Sequence, residues 1–412
     1  MKLLIITSNY PRWERDTTTP FVHNFARELV NQGVQVRVLA PHFFGAKTKE
    51  VFDGVEIRRF RYWLPLSGQT VCYQGGALGN LSKSPINKLK LPVLVCAELI
   101  STLKEILFWK PDVVNSHWLL PQGFVAALTC KLTKTKHVAT VHGGDVFALN
   151  SPLLRKLKKF SINNSSLITV NSSVTEKITK ELAPKSKTPF LKLPTGILPL
   201  PALDKTKITD LRAHLQKKVK EKLILFVGRL SEEKGVREAI QATAKLINAG
   251  LTVRLIVIGE GHEKEVFKKV VEELSINHYV DFIGWVENKD VYYYFSACDV
   301  FVGPSKTAVN GQVEAQGLTF IEAMLAGCPV IGTNSGGIID AVIPYKTGWL
   351  VEPNDAVSLA DTVEKVLFTE TDSVANIVQS AKDFAYNTYL IQNTVSIFTD
   401  AIKSQVKSRH DR

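Results

Sequence analysis

Residues 314–337 read Glu-Ala-Gln-Gly-Leu-Thr-Phe-Ile-Glu-Ala-Met-Leu-Ala-Gly-Cys-Pro-Val-Ile-Gly-Thr-Asn-Ser-Gly-Gly. Two carboxylates, Glu314 and Glu322, stand on either side of a glycine and a helix start, ahead of a run that reads as a buried strand. Gly317 lets the backbone come close to a ligand, and the free amides of Leu318 and Thr319 at a helix N-terminus suit a pyrophosphate. The carboxylates then accept hydrogen bonds from hydroxyls on either side, so the stretch predicts a phosphate-bearing, hydroxyl-rich ligand. A plainer reading stands beside this one: Thr319 and Glu322 have the Thr-x-x-Glu spacing of a capping box, and Glu314 is then a solvated loop residue.

Outward from this stretch, apolar runs rich in Val, Ile and Leu recur with helical segments between them, the pattern of a parallel sheet covered on both faces. In the first half, strands are expected near 2–8, 34–40, 54–60, 112–116, 137–141, 167–171 and 189–193. A second series begins at 222–228 and continues near 253–258, 280–283, 299–302, 329–332 and 348–351. A chain of 412 residues is too long for one ordinary core. The fold class is therefore α/β, with two doubly wound Rossmann-like domains facing a cleft and a boundary in the Pro- and Lys-rich stretch 194–221. We assign 1–195 to a first Rossmann-like domain, 196–385 to a second, and 386–412 to a C-terminal helix returning toward the first domain. Ligands of such sheets bind beyond the carboxyl ends of the strands.

Three further motifs fall at such ends. Arg229 and Lys234 follow the strand Leu223 to Val227 and place two cations where a diphosphate would need them; the plain alternative is a surface Arg229 and a Lys234 paired with Glu232 or Glu233. His142 closes the strand Val138 to Val141, and Gly143, Gly144 and Asp145 follow it. The loop after the first strand reads Tyr10-Pro-Arg-Trp-Glu-Arg-Asp-Thr-Thr-Thr-Pro20, with Thr19 as N-cap and Pro20 as first helical residue.

Together these motifs resemble retaining nucleotide-sugar glycosyltransferases of family four, the two-domain GT-B class. The resemblance rests on the Glu314-x7-Glu322 signature, on Ile6-Thr-Ser-Asn-Tyr-Pro11, on Val141-His-Gly-Gly-Asp145 and on Gly228-Arg-Leu-Ser-Glu-Glu-Lys-Gly235, in the family's order. It implies that Arg229 and Lys234 neutralise the departing diphosphate and that Glu322 binds the ribose. It further implies that 1–195 binds the acceptor and 196–385 the nucleotide sugar, that Glu314 touches the donor sugar and that His142 reaches that sugar from the first domain. Gly317, Leu318 and Thr319 meet the phosphates, while Gly284 and Val286 lie beside the base. Asp145 orients His142 or meets the acceptor.

The chain also departs from the family. Where many members carry a Gly-Gly pair after the first strand, this one offers Arg12, Arg15, Thr17 and Thr18 to the donor or the acceptor. Asp340 replaces a glutamate, Ala315 a glycine, and Lys306 to Val313 lengthens the loop before Glu314.

The implied activity is a retaining, metal-independent transfer of a sugar, of hexosyltransferase type, to a saccharide or lipid-linked hydroxyl in polysaccharide or glycoconjugate synthesis. No cofactor is expected beyond the substrate, a UDP-sugar or alternatively a GDP-sugar. No Asp-x-Asp pair or His/Cys cluster has metal-ligand spacing. Rival readings are a glycosidase using the two glutamates and a sugar-nucleotide epimerase of the same architecture. A dehydrogenase lacks its Gly-x-Gly-x-x-Gly at either domain start.

Charge divides the chain unevenly. Up to residue 220 there are 33 Lys and Arg against 14 Asp and Glu, a balance of +19, and the remainder holds 18 against 25, a balance of −7. The basic half is drawn to an anionic surface, a membrane or a nucleic acid. No aromatic-basic motif supports nucleic acid, so that partner is not expected. The run Leu153-Leu-Arg-Lys-Leu-Lys-Lys-Phe160 reads either as a lipid-surface helix or as a packed helix with a solvated lysine face. No apolar run reaches membrane-spanning length and Met1 to Ile6 is too short for a signal peptide. A cytoplasmic protein, peripheral at the inner face of the membrane, is expected. Five cysteines without Cys-x-x-Cys spacing read as free, buried thiols.

Overall fold

The computed structural model describes residues 1–407 except Arg15, Thr17, Thr19, Gln74, Gly75, Val309, Asn310, Thr369 and Glu370, and the side chains of Leu78, Thr371 and Lys407. The chain forms two units, Met1–Gly196 with Ile391–Arg412, and Ile197–Leu390.

The first unit contains strands β1 (Lys2–Ile6), β2 (Gln35–Pro41), β3 (Lys49–Phe52), β4 (Val55–Phe60), β5 (Val113–His117), β6 (Lys136–Val141), β7 (Leu167–Val170) and β8 (Phe190–Lys192). Their spatial order is β3-β4-β2-β1-β5-β6-β7-β8. All pairs are parallel except β3 with β4. Successive residues of β1 enter opposite faces: Leu3 and Ile5 join one core, Leu4 and Ile6 the other. That is the strand period of two applied to a sheet buried on both sides. The last helix, Ile391–Lys407, presents Ile391, Val395, Phe398 and Ile402 to the Leu3 and Ile5 core, where Phe398 meets Phe25 edge-on at 5.0 Å.

β3 is a strand that the sequence pattern did not announce. It pairs antiparallel to β4 across Asp53-Gly54, both at positive φ, the geometry of a two-residue hairpin. Its residues alternate between exposed and half-buried, so no apolar run marks it.

The second unit contains β9 (Lys222–Val227), β10 (Val253–Ile258), β11 (Val280–Gly284), β12 (Val300–Gly303), β13 (Val330–Thr333) and β14 (Trp349–Val351). They form one parallel sheet in the order β11-β10-β9-β12-β13-β14. Here too alternate residues divide: Leu223 and Leu225 face one core, Ile224 and Phe226 the other. The strand order reverses direction between β9 and β12, so the loops leaving those two strands flank the switch point where ligands of doubly wound sheets bind. Arg229, Lys234 and Glu314 lie on those two loops.

Cys72, Cys130, Cys298 and Cys328 are free and buried, whereas Cys96 is exposed, against the expectation of burial. Among the described residues no helix is long and apolar enough to cross a membrane.

Candidate active site

In the second unit the site is built on close backbone packing. A Cβ at Gly259 would stand 1.9 Å from the Gly228 carbonyl, and one at Gly261 2.0 Å from that of Leu230. The loop after β9 is thereby clamped to the loop after β10, with the Leu230 amide donating to the Glu260 carbonyl at 3.1 Å. Gly337 likewise donates its amide to the Glu314 carbonyl at 2.8 Å, which fixes the segment bearing Glu314 over the end of β13.

On this frame Lys234 forms an ion pair with Glu314. The Glu314 carboxylate also accepts the amides of Gly317 at 3.1 Å and Gln316 at 3.4 Å. Burial opposes its ionisation, but the charge and hydrogen bond of Lys234 and the two amides outweigh burial and hold its pKa below the usual range. The plain readings fail here: Glu314 is a half-buried, fixed carboxylate, and the pairing of Lys234 with Glu232 or Glu233 gives way to Glu314. Glu232 is engaged by Arg237 and Lys306 instead. Arg229 is exposed and, among the described residues, in no ion pair. Its charge and that of Lys234 help hold the Glu233 carboxyl low, against the larger effect of burial.

Gly317 takes φ +77° as N-cap of the helix Leu318–Leu325, with no side-chain cap. The capping-box reading of Thr319 and Glu322 is thereby corrected: the helix starts one residue before Thr319, and Glu322 lies in its second turn. The amides of Leu318 and Thr319 occupy the first two helical positions, which have no acceptor within the helix. Glu322 is hydrogen-bonded to Asn288, and burial pushes its pKa up to about 7. Asn288 opens the helix Asn288–Ala297, just after Gly284 and Val286, so the expected ribose and base residues share one corner. Gly284 ends β11 at φ +87°.

In the first unit His142 follows β6. Its ring stacks on His117 with centroids 5.0 Å apart, and His142 Nε2 and His117 Nδ1 are hydrogen-bonded at 2.9 Å. Phe21 and Trp118 enclose the same ring at 5.1 and 5.2 Å. Burial lowers the His142 pKa to about 4 and that of His117 well below the ordinary value. A neutral His142 exchanges hydrogen bonds with hydroxyls but carries no positive charge at neutral pH. The two rings line a pocket with Phe25, Asn171, Leu193 and Thr195. Two buried polar atoms there, His117 Nε2 and Asn171 Oδ1, have no partner. Neither residue belongs to a motif of the sequence: the expected strand 112–116 stops one short of His117, where β5 ends.

Asp145 is buried and accepts the amides of Leu119 at 2.8 Å and His142 at 3.3 Å. It thereby holds the backbone at His142 in place. Arg12 is bound at 2.7 Å to Asp16 and lies over the rings of Trp13 and Phe43 at 4.4 and 4.6 Å. Its guanidinium supports the loop. Thr18 donates to Asp16 at 2.9 Å and serves the same support; Arg15, Thr17 and Thr19 lie outside the described residues. Among the described residues no group of three His, Cys, Asp or Glu is placed to hold a metal ion.

Comparison with known proteins adds the family. A model of glycosyl transferases group 1 matches residues 207–388, and a model of glycosyltransferase family 4 matches residues 19–197. N-acetyl-alpha-D-glucosaminyl L-malate synthase of Bacillus anthracis is 27% identical over 69% of this chain and 72% of its own length. An uncharacterised glycosyltransferase of Methanocaldococcus jannaschii is 26% identical over 98% of this chain and 99% of its own. Among solved structures, HepE of Anabaena in complex with UDP superposes with a TM-score of 0.74 at 18% identity, covering 98% of this chain and 100% of that one, a likeness of fold. The chain belongs to the family four, group 1 glycosyltransferases of the GT-B fold.

Proposed function

We propose that the protein moves a sugar from a nucleotide-diphosphate sugar, a UDP-sugar before a GDP-sugar, to a hydroxyl of a saccharide or lipid-linked acceptor, with retention of anomeric configuration and without a metal. The observation that carries this reading is the Lys234–Glu314 pair beside the Gly317 helix start. It joins a cation, open amides and a fixed carboxylate at the end of one sheet. A lysine ammonium has three N–H groups, so Lys234 keeps two for phosphate oxygens while bound to Glu314. Arg229 supplies the second charge.

In the reaction the acceptor oxygen bonds to the anomeric carbon as the bond from that carbon to the diphosphate breaks. The diphosphate leaves with the electron pair, and its oxygen takes the acceptor proton on the same face. Negative charge grows on the leaving group, where Lys234, Arg229 and the amides of Leu318 and Thr319 stabilise it. Glu322 accepts from the ribose hydroxyls, and Gly284 and Val286 offer backbone to the base. Neutral His142 bonds a sugar hydroxyl, with Asp145 and His117 fixing its position. A lipid-linked acceptor would bring the basic first unit to an anionic membrane. HepE, solved with UDP and with UDP-glucose, supports the choice of base.

Thermal shift with a panel of UDP-, GDP- and ADP-sugars tests the donor. A UDP-sugar should raise the melting temperature of the wild type and do so far less in Glu322→Ala. A panel that moves neither protein ends the proposal. Turnover of labelled donor without acceptor would mark an epimerase instead.

A further inference from the structure

The helix Pro85–Lys104, continued by the turn Glu105–Trp109, buries polar side chains and exposes a row of apolar ones. Its core-facing side carries the polar Asn87, Lys90, Glu98 and Thr102 beside Leu94, all buried. Lys90 donates to the Gly68 carbonyl at 2.7 Å, and the Asn87 carboxamide accepts from Thr70 at 2.7 Å. Its outward side carries Ile86, Leu89, Val93, Ile100, Leu107 and Phe108, between 42% and 84% exposed. Positions 86, 89, 93 and 100 and the exposed thiol of Cys96 follow the three-and-four spacing of one helical face. Over the 23 residues from Ile86 to Phe108 this row is roughly 30–40 Å long. A water-facing helix ordinarily shows the reverse pattern, and an exposed apolar row of this length marks an interaction surface.

Charge says what the surface meets. Lys88 and Lys104 lie exposed on the same helix, which packs beside Phe124–Thr133, and that helix beside Pro152–Asn163. These neighbours expose Lys131, Arg155, Lys156 and Lys159. The carboxylates between residues 57 and 163 are Glu98, Glu105, Asp112 and Asp145. Glu98 and Asp145 are buried, Glu105 is paired with Arg37 at 2.7 Å, and Asp112 accepts the Lys2 amide at 2.7 Å. The face therefore offers cations and a long apolar row with no free acid. Such a face repels a second copy of itself, and its apolar row has no use for a nucleic-acid backbone.

We infer that this face docks on an anionic lipid surface, with the row Ile86 to Phe108 lying in the headgroup boundary and the lysines beside it on lipid phosphates. This deepens the membrane part of the proposed function and relocates it. The helix Pro152–Asn163 contributes charge from the side, because its Lys158 is buried and donates to the Ala148 carbonyl, leaving a weaker apolar face than its sequence promised.

Flotation of the purified full chain with vesicles tests the inference and uses neither donor nor acceptor, so its failure leaves the transfer reaction standing. The protein should float with vesicles containing phosphatidylglycerol and not with phosphatidylcholine alone. The triple variant Leu89→Glu, Val93→Glu, Ile100→Glu should lose on the order of tenfold or more of that binding, with its melting temperature kept because all three sites are exposed. An environment-sensitive fluorophore on Cys96 of the otherwise unaltered protein should report an apolar medium when anionic vesicles are added, which reads the same face without any variant. A wild type that stays with the unbound fraction, a triple variant that binds as well as wild type, or a Cys96 probe that stays in water on bound protein would each overturn it. So would sedimentation velocity showing a wild-type dimer that the triple variant dissolves.

Discussion

In the second unit the candidate residues ride on loops fastened backbone to backbone, with a cation and a carboxylate in direct contact. In the first unit they are rings stacked on one another, and the central histidines are neutral. Net charge runs the other way: the first unit holds 31 Lys and Arg against 14 Asp and Glu, net +17, and the second 20 against 25, net −5. The arrangement suited to a diphosphate thus lies in the acidic unit, while many of the free cations of the basic unit sit on helices away from its own pocket. On the proposed reading, local geometry, a helix start and two cations at a switch point, sets where a phosphate would go, and net charge selects the surface the molecule would meet.

The largest effect that would sharpen this comparison is on turnover. Lys234→Ala should lower kcat by about 10²–10³, the order seen when one fixed donor to a developing anion is removed. Near wild-type turnover would show that the second unit does not use its ion pair in this way.

Backbone fastening should come next. Gly261→Ala places a Cβ 2.0 Å from the Leu230 carbonyl, so the two loops must part, at roughly 2–4 kcal/mol. A melting curve reads it, and an unchanged midpoint would break the contrast drawn here.

Smaller and opposite in sign are two pH responses. Glu322 has its pKa raised to about 7, so the folded protein binds more protons than the unfolded chain between roughly pH 4.5 and 7, and stability falls as pH rises through that window. His142, lowered to about 4, makes the unfolded chain bind more protons between roughly pH 4 and 6.5, so stability falls as pH drops. Each contributes about 1–3 kcal/mol. Glu322→Gln should flatten the first slope and His142→Gln the second, read as melting temperature against pH. Equal slopes in both variants would refute the assignment. Least of all, Gly144→Ala, whose Cβ meets nothing within 4 Å, should change stability by less than about 0.5 kcal/mol.

Apolar runs buried on both sheet faces announce themselves, and β1, β9 and β10 were readable for that reason. β3 was not, since its residues are only half covered and its signal lay in the Asp53-Gly54 turn. The second-unit site was legible because glycines, cations and a helix start are sequence features with fixed local geometry. Its first-unit counterpart was legible only at His142: His117 and Asn171 reach the same pocket from different strand ends, a proximity that no spacing along the chain records. The engagement of Arg12 is hidden for a related reason, because its partner Asp16 and its stack on Phe43 come from the folding of the loop. Lys158 looked like part of a solvated face until carbonyl oxygens across a turn claimed its ammonium.

The last helix belongs to the first unit, while Ile197 and Leu390, the ends of the second, are bridged to one another. The second unit is thus an insert with adjoining ends, free to fold as soon as the ribosome has released it. The first must wait for Val395, Phe398 and Ile402 to emerge before its core is closed. A released chain ending at residue 390 should therefore carry a finished second unit and an unfinished first, the reverse of the order in which they were made.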